Sequence, residues 1–510
     1  LVDGDARAYL WIPSDCRRVR GVVFANHNMI EQGILEHPSM RETLARLDFA
    51  EVWAVPYFDA TFDFNKGAGE RFDRLMTALA DKSGYEELRH APVVPLGHSA
   101  CATFPWNFAA CNPARALAII SVHGDAPRTT LTGNGSPRIE WGDRTIDGIP
   151  GLMVMAEYEW WEDRLSPAFA FQAAHPRAPL AFLADAGRGH FDCADRTVEF
   201  IEKAAERRLP SAPPTDAPVP LREVDPREGW RIDRWHADAP PSAPAAPYAD
   251  YTGDPQTAFW CFDAEMAATT EKIYSAGRGK KPQLISVTDG GQPVEKGTGE
   301  PVTPRFIPDE DGVTLHLQTA FLDAVPPLNS KATLWTGAPP GSRLGHATEG
   351  GPIKLSRIVG PAIQTGPNTF SVRFGRAEHT AHRRNNDIWL AASHPGDGQF
   401  KSVVQQAMVH AATNKFGMPQ TITFPAIPDQ RSGAKSLQLA ARSDSGLPVA
   451  YYVLEGPAEI EGETLVFSPI PPRAKLPLAV TAVATQFGRG TAPKIQTAER
   501  VERTFLITDR

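Results

Sequence analysis

Pro95-Leu96-Gly97-His98-Ser99-Ala100-Cys101 is the stretch that decides how this chain is read. The run leading into it, Pro92-Val93-Val94-Pro95-Leu96, is short and apolar, as a buried strand is. From about Ala100 to Ala110 the pattern turns helical. Between the two sits Ser99, with Gly97 two residues before it and the small Cys101 two residues after. A sharp strand-to-helix turn that lifts a serine hydroxyl off the end of a sheet needs small residues at both places, because backbone and helix pass close together. Cys101 stands where a second glycine is usual. A bare match of this kind occurs by chance in many chains, and a serine at a helix start often serves only as a cap. Strand before, helix after and usable partners downstream favour the turn.

Working outward, strands alternate with helical segments. Residues 6–13 and Gly21 to Asn26 read as strands, Met40 to Leu47 as a helix, and Phe49 to Pro56 as a strand. Arg71 to Leu79 reads as a helix with Phe72, Leu75, Met76 and Leu79 on one side. Beyond the serine, strands are expected at 116–122, 149–156 and 180–183, and a closing helix at 196–207. This alternation points to a mostly parallel sheet with helices on both faces.

A serine hydroxyl becomes a nucleophile when a base takes its proton and an acid orients the base. His190 follows the last strand in a glycine-bearing loop. The acid is expected after the strand at 149–156, where Glu157 and Glu159 both stand. Glu159 is preferred, Glu157 is the alternative, and Asp125 and Asp163 are further candidates. Charge on the reacting oxygen needs amide donors. The expected ones are Ala100, at the start of the elbow helix, and Met29, in the His27-Asn28-Met29 loop after the strand at 21–26.

Gly97-His98-Ser99-Ala100-Cys101, Glu157-Tyr158-Glu159 and Gly189-His190-Phe191 together resemble the α/β-hydrolase superfamily, in particular its compact serine esterases of the dienelactone-hydrolase and carbohydrate-esterase kind. The resemblance covers residues 5–210. It implies ester hydrolysis through an acyl-serine intermediate, with no metal and no organic cofactor. It also suggests a disulfide between Cys101 and Cys193, tying the serine and histidine loops together, with two buried free thiols as the other reading. Trp160, Trp161 and His98 are the expected substrate contacts. Short connections leave little room for a large lid, so the site is expected to be fairly open.

With 510 residues the chain is too long for one ordinary core. A net charge of −8 without a basic cluster excludes a nucleic-acid role, and no apolar run approaches the roughly 20 residues of a membrane span. The expected organisation is a catalytic unit over 1–210, then a proline-rich wrapping segment with a docking helix over 211–280. A β-sandwich over 281–418 and an immunoglobulin-like β unit over 419–510 follow. Strands are expected at Val313 to Gln318, Ala332 to Trp335, Phe370 to Phe374 and Ile388 to Leu390. Ser445-Gly446-Leu447-Pro448-Val449 with Tyr451-Tyr452-Val453 and Gly456-Pro457-Ala458 resembles bacterial immunoglobulin-like modules of extracellular enzymes. That resemblance, with leucine as the first residue, implies a secreted or periplasmic protein whose leader has been removed. The expected substrate is a small-molecule or polysaccharide ester. The rival readings are a serine peptidase or amidase of the same fold, and a glycan-binding or adhesion protein without catalysis.

Overall fold

A computed structural model describes residues 1–510 apart from 5, 131–136, 161, 192–194, 290, 295–300, 328–329, 381–383 and 510. The first part is built on one eight-stranded sheet. Its strands are β1 (Val2–Asp3), β2 (Ala6–Trp11), β3 (Gly21–Asn26), β4 (Phe49–Val55), β5 (Val93–His98), β6 (Ile119–Val122), β7 (Gly151–Ala156) and β8 (Leu180–Asp185). Their order across the sheet is β1-β2-β4-β3-β5-β6-β7-β8. Strands β3 to β8 are parallel, while β2 runs antiparallel to β4 and to β1. This order, with the serine turn after the central β5, is the α/β-hydrolase fold.

Every residue of β3, β4, β5, β7 and β8 is buried. That matches a parallel sheet covered on both faces, where strands read as unbroken apolar runs. The covering helices include α1 (Glu31–Leu35), α2 (Pro38–Leu47), α3 (Ala68–Ser83), α4 (Phe104–Cys111), α5 (Glu162–Ala174) and α6 (Val198–Arg208). Helix α3 buries Phe72, Met76 and Leu79, one side of a 3.6-residue repeat. Helix α5 is absent from the sequence expectation. Pro167 lies inside it, and its apolar residues form no clear stripe. Burial of Leu165, Ala168 and Phe171 against the core makes it a helix despite that proline.

The helix after the serine, α4, is held from both sides. Phe104 and Phe108 join Phe24, Phe62 and Phe72 in a cluster of edge-on and tilted rings. On the other side Trp106 packs so tightly over Gly151 that a Cβ there would lie 2.5 Å from its ring. The Trp106 indole donates to the Asp125 carbonyl at 2.7 Å. The residues after α6 return to the same core. Ile232, Trp235, Phe259, Trp260 and Phe262 are buried in it, with Met266 and Tyr274 of α7 (Ala264–Ser275).

The rest of the chain is β-rich. The middle part has sheets Lys354–Val359/Asp387–His394/Val403–His410, Thr314–His316/Thr369–Val372/Ala362–Gly366 and Gln292–Pro293/Ile285–Asp289/Gln318–Phe321, all antiparallel. They share one core of Ile285, Leu315, Phe370, Ile388, Leu390 and Val409. The stretch Ala332 to Trp335, expected as a strand, lies in a helix, α8 (Ser330–Thr336). Four alternating residues do not separate the two states; here Ala332 inserts among Leu284, Leu322 and Val325, and Trp335 packs beside them, a spacing of one helical turn.

The last part layers Gln430–Arg431/Val501–Thr508/Leu478–Thr485/Ala450–Glu455 over Ser436–Gln438/Thr464–Phe467/Ala458–Glu461, around Tyr451, Leu465, Val480 and Phe505. Arg473 ties it to the first part through both oxygens of the buried Glu87, at 3.0 and 3.1 Å. No helix among the described residues is long and apolar enough to cross a membrane.

Phe104 is fully buried between Phe24 and Phe62. Phe104→Ala is expected to cost about 3–5 kcal/mol, read as a lowered urea midpoint for unfolding of the sheet.

Candidate active site

The carboxyl ends of β5, β6, β7 and β8 meet at one edge of the sheet, and the loops leaving them carry the candidate side chains. Ser99 follows β5 directly, with a left-handed φ of +54°. A non-glycine residue in that region is strained, and the turn around it explains how the strain is held. A Cβ on Gly97 would lie 2.0 Å from the Cys101 carbonyl oxygen, and one on Gly124 would lie 2.0 Å from the Ala102 Cβ. The turn therefore closes only with glycine at 97. Cys101 is accommodated because its side chain points into the core. It is a free, buried thiol, and burial pushes its pKa far up, so it offers no competing nucleophile. Cys193 lies outside the described residues.

Ser99, His190 and Glu159 form one hydrogen-bonded line. Ser99 Oγ and His190 Nε2 are 2.8 Å apart. His190 Nδ1 donates to Glu159 Oε2 at 2.5 Å. The other carboxylate oxygen, Glu159 Oε1, accepts from Lys331 Nζ at 3.1 Å. Burial pushes the Glu159 carboxyl up, but the hydrogen bond from His190, that ring's charge and the Lys331 ammonium outweigh it and hold the group below the usual carboxylate range. It is thus an anion at any working pH.

Glu157, the alternative acid, does not reach the histidine. Its Oε2 accepts from the Gly187 amide at 2.6 Å, and burial pushes its pKa up to about 7. Asp125 is fully buried under the elbow and accepts from the Thr103 hydroxyl at 3.3 Å. Asp163 sits in the first turn of α5.

Further sequence expectations change. His98 was assigned to substrate. It is 0% exposed, and its Nε2 lies 2.7 Å from the His190 carbonyl oxygen. As the last residue of β5 it is packed beneath the histidine loop, its ring 4.8 Å from that of His190. His123, which the sequence reading passed over, does the same from the end of β6, with Nδ1 at 2.6 Å from that oxygen. A carbonyl only accepts, so both rings donate and both tautomers are fixed. Burial, then the neighbouring rings, lowers the pKa of His98; burial chiefly lowers that of His123, to about 3, so both stay neutral. Position at the end of a parallel strand beside the serine strand is the signal that finds His123. Ring nitrogens of His98, His123 and His190 lie within 4.8 Å of one another. Two of these rings already give a nitrogen to a carbonyl, so the trio reads as a hydrogen-bond clamp rather than a cation cage.

The second change concerns Met29. Its amide, expected to face the oxyanion, donates to Glu31 Oε2 at 2.8 Å, and the Asn28 amide donates there at 2.9 Å. Glu31 is fully buried, with its pKa pushed up to about 7 by burial, and its other oxygen accepts the His98 amide at 3.3 Å. A carboxylate at this place takes up the amides that the loop would otherwise present. Ala100 keeps its position at the head of the elbow turn.

Trp160 packs on Trp235 at 4.8 Å with the rings tilted at 52° and donates to Glu162, which directs it to the wrapping segment. Trp161 lies outside the described residues. The β-rich middle lies on the histidine loop. Phe191 packs on Trp389 at 4.2 Å. A Cβ on Gly189 would strike the Gln406 amide at 2.4 Å, and one on Gly187 would meet Ser402 Oγ at 2.8 Å. The backbone of the histidine loop is therefore covered by the β-rich middle. A cavity of about 520 Å³ lies elsewhere, lined by Trp11, Trp53, Arg376 and Pro457 among others, and touches no member of the triad.

No family model matches the chain, and no curated protein matches it. Among solved structures it is similar to Est1E from Butyrivibrio proteoclasticus, at 17% identity over 39% of this chain and 92% of that one, with a TM-score of 0.26. It is also similar to an S-formylglutathione hydrolase from Agrobacterium tumefaciens, at 13% identity over 39% and 89%, TM-score 0.29. A dienelactone hydrolase from Anabaena variabilis is 16% identical over 39% and 89%, TM-score 0.24. What the site does is accordingly read from its own geometry.

Gly97→Ala places a methyl against the Cys101 carbonyl and must open the elbow. A loss of at least about 3 kcal/mol is expected, read as a lowered melting temperature.

Proposed function

We propose that this protein is a serine hydrolase that cleaves carboxylic esters through an acyl-serine intermediate. The observation that carries this reading is the unbroken line Ser99 Oγ–His190 Nε2 at 2.8 Å and His190 Nδ1–Glu159 Oε2 at 2.5 Å. Ser99 Oγ attacks the ester carbonyl while His190 Nε2 takes its proton. Glu159 faces the imidazolium that results and stabilises it. The Ala100 amide, at the head of the elbow turn, faces the oxygen that gains charge. His190 then gives its proton to the departing alcohol. Water, deprotonated by the same ring, attacks the acyl-serine, and Ser99 leaves with the proton.

The substrate class we favour is an ester decoration of a polysaccharide or a small aryl ester, hydrolysed outside the cytoplasm. Support for export comes from the resemblance of residues 445–458 to extracellular immunoglobulin-like modules. Trp106, Trp160, Trp335 and Trp389 pack against protein rings or backbone.

Hydrolysis of para-nitrophenyl acetate by the full chain tests the reading. Ser99→Ala and His190→Ala are each expected to lower kcat/KM by about a thousandfold or more, with melting unchanged. Hydrolysis that survives Ser99→Ala would overturn it.

A further inference from the structure

We propose that Lys331, carried by the β-rich middle of the chain, is a positioning residue of the catalytic centre, so that the centre is completed only when this part docks on the sheet. The proposal rests on the serine-hydrolase reading above.

Glu159 ends a short 3-10 turn, Glu157–Glu159, and its carboxylate could swing about its own side-chain bonds. His190 holds only one of its oxygens. Lys331 Nζ holds the other at 3.1 Å, and the two contacts together fix the carboxylate plane toward the imidazole. The pair is largely shielded: the side chains are 23% and 12% exposed. The lysine is itself held in place. In α8, Ala332 is buried among Leu284, Leu322 and Val325, and Trp335 packs edge-on against Tyr158 at 4.5 Å. Tyr158 is the residue between the two candidate acids, so the helix grips the very turn that carries Glu159. Lys401 caps the far side of the Trp335 ring at 4.9 Å.

The charge also has a sign. An ammonium on Glu159 offsets part of the negative field that favours the imidazolium. The other described groups that face the Glu159–His190 pair are His98, His123 and Arg164 from α5, while Glu157 on the same turn is directed to the Gly187 amide. His98 and His123 are neutral, and among the described residues Lys331 hydrogen-bonds Glu159 while Arg164 adds its positive charge to the surroundings. Removing the Lys331 charge leaves the Glu159 negative charge less offset where it faces the ring.

The test uses the full chain with Lys331→Met, Lys331→Arg, Glu159→Gln and the double variant Lys331→Met/Glu159→Gln. With para-nitrophenyl acetate, Lys331→Met is expected to lower kcat about tenfold and leave KM within about twofold, since the lysine holds the acid and not the substrate. The acidic limb of the kcat/KM profile is expected to move up by about one pH unit. Lys331→Arg should restore both, and Lys331→Met should add no loss in the Glu159→Gln background. A readout without turnover separates this proposal from the hydrolase reading. The His190 Nδ1 proton shared with Glu159 is expected as a far-downfield proton resonance, absent in Glu159→Gln, displaced in Lys331→Met and recovered in Lys331→Arg. A protein that shows this pattern yet cleaves no ester would sink the esterase reading and leave the positioning role standing. Lys331→Met with wild-type kcat, pH profile and resonance would overturn the positioning role, as would a wild type with no such resonance.

Discussion

The backbone carbonyl of His190 accepts hydrogen bonds from two buried imidazoles, His98 at 2.7 Å and His123 at 2.6 Å. That double contact is the constraint on which the site depends. A histidine on a loop after the last strand has no secondary structure to hold it, and its ring must meet Ser99 and Glu159 at once. The two donors come from the ends of β5 and β6, central buried strands of the sheet, so the sheet itself fixes where the loop backbone lies. Both rings are fully buried and neutral, and they add no charge that would compete with Glu159 for the imidazolium.

The other face of the same loop belongs to the β-rich middle. Trp389 covers Phe191, Gln406 closes over Gly189, and Ser402 over Gly187. Glycines at 187 and 189 are what allow backbone and β strand to come so near. With Lys331 on Glu159, the hydrogen-bonded line runs through residues of two parts of the chain that lie far apart in sequence. The β-rich region is on this view a wall and a brace of the site rather than a spacer.

Much of this was legible in the residues alone. Unbroken apolar runs read as parallel strands because every residue of five strands is buried, and the order serine, acid, histidine followed from where those strands end. The choice between Glu157 and Glu159 was harder. Two residues apart on a tight turn, they point to different partners, and only the fold shows Glu157 tied to the Gly187 amide and Glu159 to the histidine. His98 was read as a substrate contact because sequence shows adjacency to Ser99 and not the face to which a strand end turns its side chain. The Met29 amide was assigned to the oxyanion because nothing local reveals that Glu31, two residues on, folds back to take it. The strand expected at 332–335 became α8 because long-range packing of Ala332 and Trp335 decides a segment too short to decide for itself. Lys331 was invisible for the same reason: its partner lies in another part of the chain.

Reaction of the full-length protein with a fluorophosphonate, followed by digestion and mass spectrometry of the labelled peptide, addresses the core of this reading most directly. A single adduct on Ser99, formed at neutral pH and absent after His190→Ala, is the expected result. An adduct on another residue, or an intact folded protein that takes up no label, would contradict it.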